Sequence, residues 1–375
     1  QKIRKAKGPD GVSPACLKAC AVQLSSIFTL IFNRSLELYI VSSCFKCSTI
    51  IPVPKKPKTT GLDDYRPVAL TSVVLKAFER LVLAYLKDIT GPLLDPLQFA
   101  YRANRSVDDA VNMGLHYILQ HLDKPGTYAR ILFVDFSSAF NIIVPDILQN
   151  KPSQLSVPTS ICHEAGTIST GAPQGCVLSP LLFSLYTNDC TSKDPSVKLL
   201  KFAEHFTVIS LIQDSDESAY RQEVEQLSLW CSHNNLELNT LKTVEMTVDF
   251  RRNPPALTPL TIMNSTVAAV DSFKFLGTNI SQGLKWDIHI DSIVKKSPAE
   301  VVLPSSTEKV QSTTGTDDWF GVASKSDLRR LQWTVRTAER IIGVQLPNLQ
   351  DLYNSRVKKR AGNIVKDPSH PGYNL

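Results

Sequence analysis

The run ARILFVDF at residues 129–136 is the most strand-like stretch of this chain. A short, mostly apolar run of this kind predicts a strand that is buried on both faces. The run ends abruptly in Asp135, and a carboxylate beside apolar residues needs a cation or hydrogen-bond donors. Asp135 is therefore either a cap at the end of the strand or a metal ligand at the edge of a sheet.

Helical and strand-like patterns alternate irregularly on both sides of this run. Apolar spacing predicts helices at residues 14–38, 71–88, 106–122, 180–188, 219–234 and 327–342. Strand-like runs occupy residues 48–53, 245–250 and 272–276, and a hairpin is expected within residues 198–211. This mixture predicts an α+β architecture.

A second distinctive stretch is STGAPQGCVLSP at residues 169–180. Its glycines and prolines predict a specific backbone turn that leads into a helix and presents Gln174. Glycine also allows a ligand to approach the backbone closely. Gln174, Gly175 and the neighbouring amides are therefore candidates for contacting a nucleotide.

The composition is typical of a globular protein, and its clustered basic residues are compatible with nucleic-acid binding. The net charge is +6, and basic residues cluster near residues 2–7, 55–58 and 356–360. Such clusters suit phosphate contacts, although each alone is compatible with solvated surface. We find no apolar run long enough for a membrane span and no signal segment, and the eight cysteines show no disulfide-like framework. We expect an intracellular protein, in the nucleus or the cytoplasm, with no membrane partner.

Taken in order, these stretches resemble the reverse transcriptases of LINE-type (non-LTR, jockey-like) retrotransposons. FVDFSSAF resembles the first palm motif of reverse transcriptases, and TGAPQGCVLSPLLF resembles the TG-x-PQG motif of the LINE class. The other matching stretches are KAKGPDGV (5–12), DYRPVALTSVVLKAFERLV (64–82), QFAYRANRSVDDAV (98–111), LELNTLKT (236–243) and FKFLG (273–277). The tail from residue 329 to residue 353 also resembles jockey-type sequence beyond the polymerase.

The resemblance implies a right-hand polymerase with fingers and palm, built from an antiparallel sheet with packed helices. We expect an N-terminal extension and fingers at residues 1–128 and a palm through the primer grip at residues 129–296. The thumb is expected to be truncated or scrambled, because residues 297–316 have no period and are rich in Ser, Thr and Pro. That stretch is expected to be a disordered or scrambled linker, followed by a helical C-terminal segment at residues 317–375.

The resemblance also implies roles for individual residues. The expected partners are an RNA template, a DNA primer and deoxynucleoside triphosphates. The residues implied to bind the nucleotide are Arg66, Phe136, Phe140, Gln174, Gly175 and Lys242, with Phe140 screening the 2′ position of the sugar. Phe275, Leu276 and Gly277 correspond to the primer grip.

One departure from the family pattern affects the chemistry. The resemblance implies two Mg²⁺ ions held by Asp135 and by two aspartates of an aromatic-Ala-Asp-Asp hairpin, but this chain reads FAEH at residues 202–205. Glu204 retains an oxygen ligand for a metal shared with Asp135, although its extra methylene displaces the carboxylate. Imidazole is a poor Mg²⁺ ligand, so His205 is a less suitable replacement for an aspartate than Glu204 is. We therefore expect impaired catalysis at Asp135, Glu204 and His205.

Two alternative hypotheses about the function remain open. The first is a non-catalytic remnant that binds nucleic acid. The second, more distant one is an iron/2-oxoglutarate oxygenase segment like those of AlkB homologues, because His289 and Asp291 have H-x-D spacing and His370 could complete a facial triad. A histidine and an aspartate on the surface of a helix, with no metal-binding role, explain the same spacing.

Overall fold

A computed structural model describes residues 6–38, 40–55, 57–61, 64–137, 143–144, 147, 176–300, 320–342, 345 and 348–375. The chain divides into two units that interleave along the sequence. The first unit comprises Gln1–Asp95, Phe136–Cys190 and Trp230–Glu237, and the second comprises Pro96–Asp135, Thr191–Leu229 and Leu238–Leu375.

Helices and strands are mixed along the chain, which confirms the predicted α+β class. In chain order the elements are α1 (Pro14–Ala19), α2 (Ala21–Leu38), α3 (Ser43–Lys46), β1 (Ser48–Pro54), β2 (Tyr65–Thr71), α4 (Val73–Thr90), α5 (Val107–Leu122), β3 (Thr127–Val134), α6 (Ser179–Tyr186), β4 (Val197–Phe202), β5 (His205–Gln213), α7 (Ser218–His233), β6 (Val244–Val248), β7 (Thr261–Ile262), β8 (Ser265–Thr266), β9 (Ala268–Ala269), β10 (Ser272–Phe275), β11 (Thr278–Ser281), α8 (Asp287–Glu300), α9 (Lys325–Ile342) and α10 (Leu349–Val365).

The first unit contains a β-hairpin followed by the long helix α4. Strands β1 and β2 pair antiparallel, with Val53 opposite Arg66. Helix α4 begins after Ser72, whose hydroxyl accepts hydrogen bonds from the N–H groups of Val74 and Leu75. Ser72 caps the helix because its oxygen reaches the unpaired amides of the first turn.

The second unit is organised around a five-stranded sheet in its described part. The strand order is β4-β5-β3-β6-β9, and every pairing is antiparallel except that of β6 with β9. Strand β3 lies in the centre and is buried along its whole length, as its apolar sequence predicted. It pairs with β5 up to Val134 opposite Phe206, so Asp135 emerges beside the start of β5.

Helix α5 packs on this sheet. It begins with a capping box, in which the Ser106 hydroxyl accepts from the N–H of Asp109 and the Asp109 carboxylate accepts from the N–H of Ser106. Val111 and Ile118 of this helix share a buried cluster with side chains of β3, β5 and the β10–β11 hairpin. This shared core fixes the hairpin against the sheet.

The C-terminal segment is helical, as predicted, and comprises α9 and α10. The Arg360 guanidinium joins α10 to the start of α5, since it lies 2.6 Å from the Asp108 carboxylate and 3.3 Å from that of Asp109. Helix α8 ends at Glu300, and the rest of the predicted linker at residues 297–316 lies outside the described residues. In the described part of the chain, no helix combines the length and apolarity that crossing a membrane requires.

Candidate active site

Asp135 directly follows β3, and both of its backbone polar groups are bonded to the turn at residues 239–243. Its N–H donates to the Thr243 hydroxyl at 3.3 Å, and its C=O accepts from the N–H of Asn239 at 2.9 Å. The side chain retains 30% of its exposure. The strand end is therefore held by a segment more than a hundred residues away in sequence, while the carboxylate faces outward.

The same turn places Lys242 beside this carboxylate. The N–H of Lys242 donates to the C=O of Asn239 at 3.1 Å, and its ammonium lies 3.8 Å from Oδ2 of Asp135. Because the Lys242 side chain is 71% exposed, the ion pair faces water and stabilises the fold by less than about 1 kcal/mol. Its main consequence is local, since it places a positive charge next to Asp135.

The turn between β4 and β5 carries the other predicted catalytic residues. Phe202 pairs with His205, which leaves Ala203 and Glu204 as a two-residue loop with Ala203 at a φ of 53°. Glu204 is half-buried and His205 is exposed. Burial raises the pKa of the Tyr101 phenol, and the nearby Glu204 carboxylate raises it further. The negative charge of Glu204 therefore acts on Tyr101.

A cavity of about 530 Å³ opens between the ends of β3 and β5 and the β10–β11 hairpin. Asp135, His205 and Lys242 line it, together with Lys274 and the hairpin turn Phe275, Leu276 and Gly277. The predicted primer-grip residues are thus in the same cavity as Asp135. Positive φ angles at Leu276 (49°) and Gly277 (100°) close this tight turn.

The side chains present do not fit a two-Mg²⁺ site. Mg²⁺ requires oxygen ligands in a near-ideal octahedron. Among the described residues that line the cavity, Asp135 supplies one carboxylate and Glu204 is absent. The described part of the chain also contains no group of three His, Cys, Asp or Glu side chains placed to share a metal ion. The described residues therefore contain no assembled three-ligand site for Mg²⁺, and the roles of Asp135 and Glu204 as metal ligands stay predictions.

The other predicted nucleotide-binding residues are distributed differently. Arg66 is exposed on β2 of the first unit, whereas Phe136 is buried. Phe140, Gln174 and Gly175 lie outside the described residues. Their roles stay predictions.

Glu79 was not predicted from the sequence as a functional residue. It forms a hydrogen bond with the described end of the segment at residues 169–180 that carries Gln174. Glu79 is buried on α4, and its carboxylate accepts from the N–H of Val177 at 3.1 Å, just before α6 begins. Burial raises the pKa of Glu79, against the lowering effect of the Val177 and Leu178 amides. The available signal was an acid within the apolar face of a strongly amphipathic helix.

The three candidate iron ligands do not form a facial triad. Nδ1 of His289 accepts from the N–H of Asn279, and Asp291 pairs with Arg330 at 2.6 Å. His370 accepts at Nδ1 from the N–H of Gly372. These residues are all described, yet they do not share a metal-binding group. The alternative hypothesis of a surface histidine was also wrong for His289, which is buried under the hairpin rather than on the surface.

Comparison with known proteins identifies the family. The family model "Reverse transcriptase (RNA-dependent DNA polymerase)" matches residues 53–280, which is more than half of the chain. The chain therefore belongs to the reverse transcriptase family, whose members generally use Mg²⁺.

Its relatives include polymerases of Drosophila melanogaster mobile elements. The probable RNA-directed DNA polymerase from transposon BS is 26% identical over 326 residues, covering 78% of this chain and 36% of that protein. The corresponding protein from transposon X-element is 27% identical over 330 residues, covering 80% and 36%. The chain thus spans about a third of the length of these relatives, and the predicted resemblance to LINE-type reverse transcriptases is confirmed.

Among solved structures, apo telomerase from Candida tropicalis matches with a TM-score of 0.47 and 12% identity, covering 84% of this chain and 64% of that chain.

Proposed function

We propose that this chain is the polymerase region of a LINE-type retrotransposon reverse transcriptase, and that nucleotidyl transfer is impaired in this copy. One observation carries the proposal. Asp135 and His205 line one cavity at the paired ends of β3 and β5, where the family's catalytic aspartates belong, but the hairpin supplies Glu204 and His205 instead.

The proposed partners are an RNA template, a DNA primer and deoxynucleoside triphosphates, in the nucleus or the cytoplasm. Arg66, Phe136, Phe140, Gln174, Gly175 and Lys242 are proposed to contact the incoming nucleotide. The turn at Phe275, Leu276 and Gly277 is proposed to hold the primer end, which its place in the cavity of Asp135 supports.

The proposed impairment has a physical basis. A glutamate reaches about one ångström further than an aspartate, and misplacement on that scale reduces rates on the order of 100-fold. The charge of Glu204 also acts on Tyr101. His205 replaces a carboxylate by an imidazole, which is a poor ligand for a hard cation. The same replacements favour the second candidate function, a non-catalytic nucleic-acid-binding remnant.

Primer extension on a homopolymer RNA template tests the proposal. We expect no extension by the unmodified chain and partial recovery by the Glu204→Asp/His205→Asp double variant. The double variant with Asp135→Asn is the matched control and should lose what was recovered. Mg²⁺ titration calorimetry on the same proteins should show tighter binding in the double variant.

Two outcomes separate the alternatives. Robust extension by the unmodified chain would mean that Glu204 and His205 serve catalysis, and the claim of impairment would be wrong. No extension by the double variant, together with retained binding of nucleic acid, would support the non-catalytic remnant.

A further inference from the structure

A further cavity, of about 640 Å³, lies within the second unit and shares no lining residue with the cavity at Asp135. Its walls come from α5, from the turn between β11 and α8, and from the start of α9. The α5 wall consists of Asn112, Leu115, His116 and Leu119, whose spacing places them on one side of the helix. This cavity is therefore separate from the site proposed for nucleotidyl transfer.

Apolar side chains supply most of the lining surface of this cavity. Leu115 belongs to the main core of the unit, and Leu284 packs against that core. Trp286 packs both against this core and against the smaller cluster that contains Ile290 and Leu331. A cavity of this size with an aromatic wall matches small-molecule sites, which typically enclose about 300–1,000 Å³.

The charged lining residues leave an excess of negative charge. Among the described residues they are Asp287, Asp327 and Lys285. The Arg330 guanidinium lies 3.3 Å from the Asp327 carboxylate, but it also pairs with Asp291 at 2.6 Å. Both lining aspartates lie in the first turn of a helix, where the helix dipole supplies only about half a positive charge. The cavity therefore favours a cationic ligand over an anionic one.

The α5 wall differs from a closed core in two respects. Nε2 of His116 is buried and has no hydrogen-bond partner in the part of the chain that the structure describes. Buried polar atoms in finished cores nearly always have such a partner. Leu119, on the same wall, is 50% exposed although it is apolar. Both features are expected of a wall that contacts a ligand.

We propose that this cavity binds a small aromatic cation, with its ring against Trp286 and the leucines and its charged group near Asp287. The proposal does not depend on the proposed function, because none of the lining residues has a role in nucleotidyl transfer. Trp286 packs against two cores, so a bound ligand connects the sheet to the C-terminal helices. Binding to the folded unit alone should also raise its thermal stability.

Ligand-observed NMR titration of the full chain with three indoles tests the proposal. Tryptamine carries a cation, tryptophol a neutral hydroxyl group and indole-3-propionate an anion on the same ring. We expect the affinity to fall in that order and tryptamine to raise Tm. Asp287→Asn should reduce the preference for tryptamine over tryptophol about two- to fivefold, as expected for an exposed charge pair, and should leave tryptophol binding unchanged.

Asp351→Asn is the matched control for the charge. Asp351 is an exposed aspartate in the first turn of α10, belongs to the same unit and does not line the cavity. Its variant should keep the preference of the unmodified chain for tryptamine.

Leu119→Ala tests the apolar wall at a half-exposed position, where the substitution leaves the core of the unit intact. It should weaken binding of all three indoles about three- to tenfold. Leu229→Ala is its control, because Leu229 on α7 is similarly exposed, at 47%, and lies outside the cavity.

The proposal is wrong if the three indoles bind equally, if none binds, or if Asp287→Asn and Asp351→Asn have the same effect on the preference for tryptamine. Tighter binding of indole-3-propionate would assign the cavity to anions and would likewise refute the proposal. None of these outcomes affects the polymerase assignment, which is measured by primer extension.

Discussion

Arg130 on β3 and Glu245 on β6 form a two-pronged ion pair inside the central sheet. Nε of Arg130 donates to Oε1 of Glu245 at 2.9 Å, and a terminal nitrogen donates to Oε2. The two residues are 1% and 4% exposed, so neither charge is solvated by bulk water. Glu217 and the Tyr220 hydroxyl complete the network through further hydrogen bonds to Arg130 and Glu245, respectively. The burial penalty of each charge is thereby offset by partners.

Removing one member of this network should strongly destabilise the protein. Arg130→Met leaves buried carboxylates without a cation, and we expect a loss of about 3–5 kcal/mol in the free energy of unfolding, measured by urea denaturation. Adding Glu245→Gln to that variant should recover part of the loss, because it removes a buried charge. Arg34→Met breaks the exposed pair with Glu37 and should change stability by less than about 1 kcal/mol. Equal effects of the two Arg→Met variants would contradict this account.

The β4–β5 turn should be stabilised by glycine. Ala203 has a φ of 53°, in the left-handed region where a Cβ atom is strained. Ala203→Gly should therefore raise the free energy of unfolding by about 0.5–1 kcal/mol. The same substitution at Ala361, an exposed position within α10, should lower stability by about 1 kcal/mol. Urea denaturation should show a higher free energy of unfolding for Ala203→Gly and a lower one for Ala361→Gly. A loss of stability in Ala203→Gly would show that the backbone at Ala203 is not strained.

Thr243 should control how firmly the Asp135 strand end is held. Thr243→Val keeps the shape of the side chain but removes the hydroxyl that accepts from the N–H of Asp135. We expect a loss of about 1 kcal/mol and faster amide exchange at Asp135 and Lys242. Thr191→Val, at an exposed position of the same unit, is the control and should leave exchange at these amides unchanged. Unchanged exchange in the Thr243 variant would show that the bond does not hold the turn.

Glu79 should make stability depend on pH in a defined direction. Folding raises its pKa above 4.5, so the native state binds the proton more tightly than the unfolded state does. This contribution to stability is present at low pH and is lost as pH rises from the unfolded pKa through the folded pKa. The stability of Glu79→Gln relative to the unmodified chain should therefore increase across that window.

Thermal unfolding of both proteins between acidic and neutral pH measures this difference. Glu225→Gln replaces an exposed carboxylate on α7 by the same amide and provides the control for the substitution itself. A Glu79→Gln difference that shrinks with rising pH would reverse the assigned sign.

The local sequence predicted the elements well wherever near neighbours decide the structure. The start of α5 at Val107 agrees with the helix predicted at residues 106–122, and its capping box involves only residues three apart. Burial of β3 followed from its continuous apolar run. Residue order likewise identified the family, and Asp135 was singled out as the acid at the end of that strand.

Local sequence patterns could not predict the arrangement of side chains around Asp135. Neither the approach of Lys242 to Asp135 nor the electrostatic effect of Glu204 on the pKa of Tyr101 is encoded by spacing in the chain. Glu79 was missed for the same reason, since its partner Val177 is 98 positions away.

The sequence by itself determined the α+β class, the family and the loss of two expected aspartates, because these depend on residue identity and on short-range periodicity. Tertiary structure alone decided that Asp135 shares a cavity with two lysines and the turn at Phe275, Leu276 and Gly277. The physical reason is that strand register and packing of distant turns set the distances between charges. Those distances determine whether a carboxylate is balanced by an ammonium group or by a metal ion.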